Sequence, residues 1–315
     1  MTSPSFADRI DDYIAVRRRM GYDLTNARWQ LLRFARYADS IGHEGPITVD
    51  LAVRWARATD SRDPCAAARR LAFVRPFARH RAAFDPATEV PPTGLLGRGA
   101  ARKSPHIYSD DEVAALLREA ALLGPPGGLL SRTLVALFSL LASTGLRVSE
   151  ACRLTHRDVD LEQGVLVVRE GKFRKSRLVP VHPTTAAALA RYAVERDRIK
   201  PRSEFFFRTD RAKRITRNTV ERTLIDLRPR LGWTSAGRAR LPRVHDLRHT
   251  FAVRRLLRWY EEGADVDRKM LALSTYLGHT AVTYTYWYLS AVPELLAITS
   301  SRFEHFAHCE EECAS

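Results

Sequence analysis

The sequence predicts a mainly α protein with one small antiparallel β-sheet, an α+β fold in two domains. Three observations predict it. Apolar residues recur at helical spacing through most of the 315 residues. A single pair of β-rich runs, Val165-Leu166-Val167-Val168 and Leu178-Val179-Pro180-Val181, flanks a polar turn. A turn-rich stretch from Asp85 to Pro105 separates a helical first segment from the remainder.

Each element has its own signal. Phe6, Ile10, Tyr13, Ile14 and Arg17 fit a helix ending near Gly21, and Trp29, Leu32, Tyr37 and Ile41 fit a second stopped by Gly42. Thr48 caps a third that carries Leu51 and Trp55. Pro64 suits the first turn of a fourth, with Ala68, Leu71, Val74 and Phe77. Arginines interleave with these apolar positions: as single residues they are wet helix faces, and as a collective excess they point to an anionic partner. The domain spans residues 1–90. A basic linker follows at 91–107, containing Gly97-Arg98-Gly99-Ala100-Ala101-Arg102-Lys103.

The second domain spans 108–292. Ser109 and Glu112 form a capping box ahead of Val113, Leu116 and Leu117. Leu129 to Ser143 reads as a buried helix that Gly145 ends. The two β runs enclose Glu170 to Arg177, a hairpin tip with four cations including Lys172. Pro183 opens a helix through Leu189 and Tyr192. Phe205-Phe206-Phe207 is a short strand or a core plug, and Thr216 caps a helix with Val220, Leu224 and Leu227. Residues 293–315 read as an amphipathic tail helix.

Composition bounds the function. Lys and Arg total 51 against 36 Asp and Glu, a net charge of +15, which favours nucleic acid as partner. The uncharged run from Thr133 to Leu146 is 14 residues, too short to span a membrane. The N-terminus lacks a signal-peptide pattern, so a cytoplasmic location is expected, in association with the nucleoid when DNA is bound. Cys65, Cys152, Cys309 and Cys313 are scattered and read as reduced thiols. His305 and His308 beside the last two invite a metal reading, but three glutamates intervene and a polar tail fits better. No metal and no cofactor are expected.

Reactive side chains concentrate between His245 and Tyr288. His245 and Arg248 stand three apart and share a helix face. His279 follows, then Tyr284, Tyr286 and Tyr288. Upstream, Arg147 emerges from the apolar helix in Thr144-Gly145-Leu146-Arg147-Val148-Ser149-Glu150, serving either a site or a salt bridge to Glu150. Glu150 itself either orients a cation or has plain capping or surface duty. Two arginines, two histidines, a lysine and a phenol suit a phosphodiester. Arginine forks grip phosphate, histidine moves protons near neutrality, and a phenol titrating near pH ~10 attacks once cations stabilise its developing charge.

These boxes resemble those of the tyrosine recombinases, or phage-type integrases, over roughly Tyr108 to Glu304. Thr144 to Glu150 is similar to the family's first-arginine box. Gly171-Lys172 followed by Arg177-Leu178-Val179-Pro180 is similar to its hairpin lysine, and His245-Asp246-Leu247-Arg248-His249-Thr250 resembles its His-x-x-Arg box. Leu277-Gly278-His279 resembles the box before the nucleophile, and Tyr288 lies nine residues after His279, the family's spacing. Tyr286 is second choice as nucleophile. His249 reads as packing or support.

The resemblance implies a helical core-binding domain ahead of a catalytic domain, with Arg147, Lys172, His245, Arg248, His279 and Tyr288 as the catalytic set. It implies cleavage and rejoining of double-stranded DNA through a 3′-phosphotyrosyl link, without ATP or metal, by a homo- or hetero-tetramer on two DNA sites. The tail helix would dock in cis or on a neighbouring protomer. The Tyr286 to Leu296 run resembles transposon-borne members, which favours integration, excision or transposition of a mobile element. The alternatives are a type IB topoisomerase, which shares the chemistry, and a catalytically silent DNA-binding regulator.

Overall fold

The computed structural model of the chain describes residues 5–97, 104–125, 128–169, 176–199, 202–234, 241–291 and 295–297. It divides into two compact units, Met1–Lys103 and Ser104–Ser315. Among the described residues no helix is long and apolar enough to cross a membrane.

The first unit holds four helices: α1 (Phe6–Arg19), α2 (Thr25–Ser40), α3 (Val49–Arg57) and α4 (Ala66–Ala82). Ser5 and Asp8 form a reciprocal capping box on α1, and the Thr48 side chain accepts from the Leu51 N–H to start α3. Ile10, Leu31, Phe34, Leu51, Trp55, Leu71, Val74 and Phe77 meet in one core. Two expectations need correction. Trp29 and Ile41, two of the apolar positions that mark α2 in the sequence, are both exposed. The buried stripe of α2 is Leu31, Phe34, Ala35 and Ala38, spaced by three and four, and Trp29 lies off it, with the Arg33 guanidinium 4.7 Å over its ring. Pro64 precedes α4 rather than opening it. Asp63 accepts from the Cys65 N–H at 2.8 Å, so a local turn takes up the proline before Cys65 caps the helix. Residues beyond α4 stay tied to this unit: Glu89 accepts from the Val49 N–H, and Arg75 donates to the carbonyls of Pro91 and Pro92.

The second unit is helical around a three-stranded antiparallel sheet. Its elements are α5 (Asp110–Ala121), α6 (Leu129–Thr144), α7 (Val148–Ala151), β1 (Val159–Asp160), β2 (Val165–Val168), β3 (Arg177–Pro180), α8 (Pro183–Asp197), α9 (Arg217–Leu227), α10 (Val244–Glu261), α11 (Val266–Leu277) and α12 (Thr283–Ala291). The strands lie in the order β1-β2-β3, with Leu166 opposite Val179 and Val168 opposite Arg177. The mainly α fold with a small antiparallel sheet is therefore as expected. The second strand of the hairpin begins one residue earlier than its apolar run, at Arg177.

Helix α6 is the axis of this unit. Leu134, Leu137, Phe138, Leu140 and Leu141 are all buried, each contributing about 1.5–3 kcal/mol of apolar transfer. α5, α8 and α10 pack around it. Phe206 and Phe207 fill the core as a plug, Phe207 stacked on Tyr192 and Phe206 edge-on to Phe207. A second cluster joins α10, α11 and α12 through Leu256, Met270, Leu273, Leu277 and Tyr288. The tail helix expected at 293–315 lies outside the described residues apart from 295–297, as do Cys309, Cys313, His305 and His308.

Gly145 ends α6 in the left-handed region, φ +63°, and a Cβ there would stand 2.6 Å from the Phe251 ring. Gly42 has a similar φ of +66° but open space around it. Gly145→Ala is expected to cost about 2–4 kcal/mol, backbone strain plus overpacking, and Gly42→Ala about 1–2 kcal/mol from strain alone. Urea denaturation of both variants checks this; equal costs would remove the packing part of the account.

Candidate active site

The site is assembled at the C-terminal end of α11. A helix end leaves its last carbonyls without intrahelical donors, and those carbonyls carry the negative end of the helix dipole. Here three consecutive carbonyls accept from three arginines. Arg177 Nε donates to the Tyr276 carbonyl at 2.8 Å. Arg248 Nη2 donates to that of Leu277 at 2.7 Å. Arg147 Nη2 donates to that of Gly278 at 2.8 Å. Gly278 makes the turn in the left-handed region, φ +67°, and a Cβ there would stand 2.7 Å from Arg177 Nη1. Arg248 also donates to the Gly145 carbonyl at 2.8 Å, which ties α10 to the end of α6 beside Arg147.

Glu150 binds two of the three arginines. Arg147 Nη1 donates to its Oε1 at 2.7 Å, and Arg177 Nη2 to its Oε2 at 2.9 Å. Its Oε2 also accepts from the Arg147 backbone N–H, capping α7. Of the alternatives the sequence leaves open, Glu150 thus takes both capping and cation orientation, and surface duty is ruled out because its side chain is 1% exposed. Burial raises a carboxyl pKa, but the hydrogen bonds and charges of Arg177 and Arg147 overcome this and bring Glu150 down to about 2.

Arg177 is the main correction at this site. It was expected as one of four cations on the hairpin tip. Instead it opens β3 on the same strand face as the buried Val179, its side chain largely buried against Glu150 and Tyr276. Strand alternation carries that signal: residues two apart share a face, so an inward Val179 implies an inward Arg177 in need of a carboxylate. Lys172 and the other tip cations lie outside the described residues.

His245 and Arg248 lie in the first turns of α10. Arg248 is buried; that burial and the nearby Arg147 lower its pKa to about 10, still fully charged at neutrality. His245 is exposed on the wall of a cleft of about 460 Å³ that Arg147, Ser149, Arg217, Arg228 and Arg243 also line. Crowding of its ring, then the charges of Arg248 and Arg243, hold its pKa well below the ordinary histidine range, so it is neutral at pH 7. Sequence reasoning missed the cleft's arginines on α9 and after it, because nothing in their spacing joins them to the boxes.

His279 follows Gly278 directly. Its backbone N–H donates to the Ser274 carbonyl, and its Nδ1 lies 2.7 Å from Thr285 Oγ1 of α12. Tyr288 is 1% exposed and does not line the cleft. Its hydroxyl lies 2.9 Å from His249 Nδ1. Tyr286 is 40% exposed, with its hydroxyl donating to Asp267. The described residues thus bring Arg147, Arg248 and His279 onto one helix end, with His245 and Tyr288 beside them. Chemically the arrangement suits an anion. Two of the five N–H donors of Arg147 and two of Arg248 are held by protein acceptors, which fixes the planes of both forks.

Residues 109–294, which include all six sequence-predicted site residues, match the model of the phage integrase family. The chain is 39% identical over 308 residues to an integrase/recombinase-named protein, y4rB, of Sinorhizobium fredii, covering 95% of this chain and 97% of that one. It is 35% identical to the tyrosine recombinase XerD of Mycobacterium tuberculosis over 70% of this chain and 68% of that one. Among solved structures, the Tn1549 transposon integrase in complex with transposon right end DNA is similar in fold, with a TM-score of 0.68, 16% identity, and coverage of 96% of this chain and 100% of that one. A lambda integrase dimer bound to a COC′ core site gives a TM-score of 0.61 at 18% identity, covering 89% and 97%.

The Glu150 carboxyl has a folded pKa of about 2 against an ordinary 4.5. A depressed carboxyl stabilises the fold above its unfolded pKa and loses that contribution as pH falls through the folded value. The contribution is on the order of 3 kcal/mol, complete above pH ~4.5 and lost between about 4.5 and 2. Urea denaturation from pH 2 to 7 should show this segment in the wild type and lack it in Glu150→Gln; matching slopes would refute the assignment.

Proposed function

The chain belongs to the phage integrase family, and on that premise we propose that it is a site-specific recombinase that cuts and rejoins double-stranded DNA through a 3′-phosphotyrosyl intermediate formed on Tyr288. The observation that supports this most is the convergence of Arg147, Arg248 and Arg177 on three successive carbonyls immediately before His279. Residues 131 and 29 positions apart in the chain are thereby fixed as one cationic grip.

In this reading the scissile phosphate sits on the remaining donors of Arg147 and Arg248, with His279 donating to a non-bridging oxygen. Negative charge grows on those oxygens as the phenol attacks, and donors already held in place stabilise it without reorganising. Burial of Arg248 and Tyr288 means that DNA binding opens the site for the phosphate to reach them. His245, neutral on the cleft wall, is placed to exchange protons, and a phosphate beside it raises its pKa toward neutrality. Lys172 protonates the departing 5′ oxygen. The free 5′ hydroxyl of a partner duplex then attacks the phosphotyrosine and restores the backbone. The bond energy is kept in the covalent link, so the cycle runs without ATP.

The same reading gives duplex binding to the helical domain at 1–90 and to the linker at 91–107, and tetramer assembly on two DNA sites. The cleft's Arg217, Arg228 and Arg243 extend the cationic surface beside Arg147. The role in integration, excision or transposition of a mobile element belongs to the same proposal; the transposon-like Tyr286 to Leu296 run and the integrase/recombinase name of a 39% identical relative support it.

Covalent trapping tests the proposal. Wild-type protein incubated with nicked duplex fragments, from which the cleaved strand diffuses away, should yield an adduct whose modified peptide contains Tyr288. Tyr288→Phe should bind the same DNA and give no adduct, whereas an adduct mapping to Tyr286 would move the nucleophile. Arg147→Ala should slow adduct formation by about 10²–10³-fold, the usual effect of losing one oxyanion donor. Duplex affinity should fall steeply between 50 and 200 mM salt, by roughly 10³-fold for about six phosphate contacts; a flat salt response in a filter-binding titration would rule out the phosphate grip.

A further inference from the structure

We propose that His249 is the base that takes the phenolic proton from Tyr288 as its oxygen attacks phosphorus. The inference rests on the reading of Tyr288 as nucleophile.

His249 Nδ1 lies 2.9 Å from the Tyr288 hydroxyl, within the reach a general base needs. The rings meet edge-on at 5.5 Å, and both side chains are buried, His249 at 5% exposure and Tyr288 at 1%. Of the box histidines, His279 has its Nδ1 2.7 Å from Thr285 Oγ1, and His245 lines the cleft, which Tyr288 does not. A phenol of ordinary pKa is ionised to roughly one part in 10³ at pH 7, and one this buried has little bulk water to receive its proton. Among the described residues, the groups packed on His249 include His245 of its own helix, edge-on at 4.8 Å, and Tyr288 and the uncharged Trp287 of α12, and Arg248 is its sequence neighbour.

The step balances. The Tyr288 O–H bond breaks, its proton goes to the Nδ1 lone pair, and the oxygen pair forms the O–P bond. The P–O5′ bond breaks, and the 5′ oxygen takes a proton from Lys172. His249 leaves as an imidazolium and returns its proton to the phenol when the partner's 5′ hydroxyl reverses the reaction.

The test is single-turnover cleavage of nicked duplex by the full chain. His249→Asn places an amide oxygen near Nδ1, so the hydrogen bond survives and the base does not. Cleavage at pH 7 should fall by about 10²-fold or more. The wild-type rate should rise with pH through an imidazole titration, and the variant should lack that limb. On DNA with a bridging 5′ sulfur, whose departure needs no proton, the deficit should persist; 3,5-difluorotyrosine at position 288, a more acidic phenol, should restore much of the rate. Unchanged duplex affinity shows that the variant is folded. A His249→Asn rate equal to or above wild type overturns the proposal, as does a deficit that vanishes on the sulfur substrate. If the variant does not fold, His245→Asn decides: the wild-type limb must survive in it, and its loss there assigns the base to His245. A wild-type chain that gives no Tyr288 adduct refutes the nucleophile assignment itself, separately from the base.

Discussion

The site depends on one exposed helix end. Tyr276, Leu277 and Gly278 present carbonyls that α11 cannot satisfy internally, and three arginines from a strand, a helix start and a helix N-cap satisfy them. Each partner solves the other's problem. The helix end has surplus acceptors and a negative dipole, and the arginines have surplus donors and a positive charge. Glu150 closes the arrangement by joining Arg147 to Arg177. The core of α6 then serves a definite purpose: it carries Gly145 to the point where its carbonyl receives Arg248.

Electrostatics explains why the cations stay together. Gathering Arg147, Arg177 and Arg248 is unfavourable by itself, and burial first, then the charge of Arg147, lower the Arg248 pKa. A single buried carboxylate and four backbone carbonyl bonds offset it without neutralising it. The site keeps net positive charge facing the cleft, which is the condition for binding a phosphate rather than closing on itself. His245 is the group that yields: crowding of its ring, then the charges of Arg248 and Arg243, favour its uncharged form.

Much of this was legible in the sequence, for local reasons. Capping at Thr48, Ser109 and Thr216 needs only neighbouring residues, and all three caps are formed. The apolar run of α6 and the glycine that ends it are equally local. What was not legible depends on contacts far along the chain. Trp29 looks like a core residue until the true stripe of α2 meets α1 and α4. Arg177 adjoins the hairpin tip in sequence; alternation with Val179 gives its face, but its partner Glu150, 27 residues away, is set by the pairing of β3 with β2. The contact between His249 and Tyr288 joins residues 39 apart, with no spacing rule to announce it.

Main-chain acceptors give the grip an unusual resistance to genetic drift. A side-chain ligand disappears with one codon change, but the carbonyls of Gly145, Tyr276, Leu277 and Gly278 are present whatever residue is encoded. The arginine anchors therefore offer selection a small target: Glu150, the arginines themselves, and the two glycines whose backbone geometry presents their carbonyls. The cleft residues of α9 donate to none of these four carbonyls, so a substitution there leaves the anchoring bonds as they are.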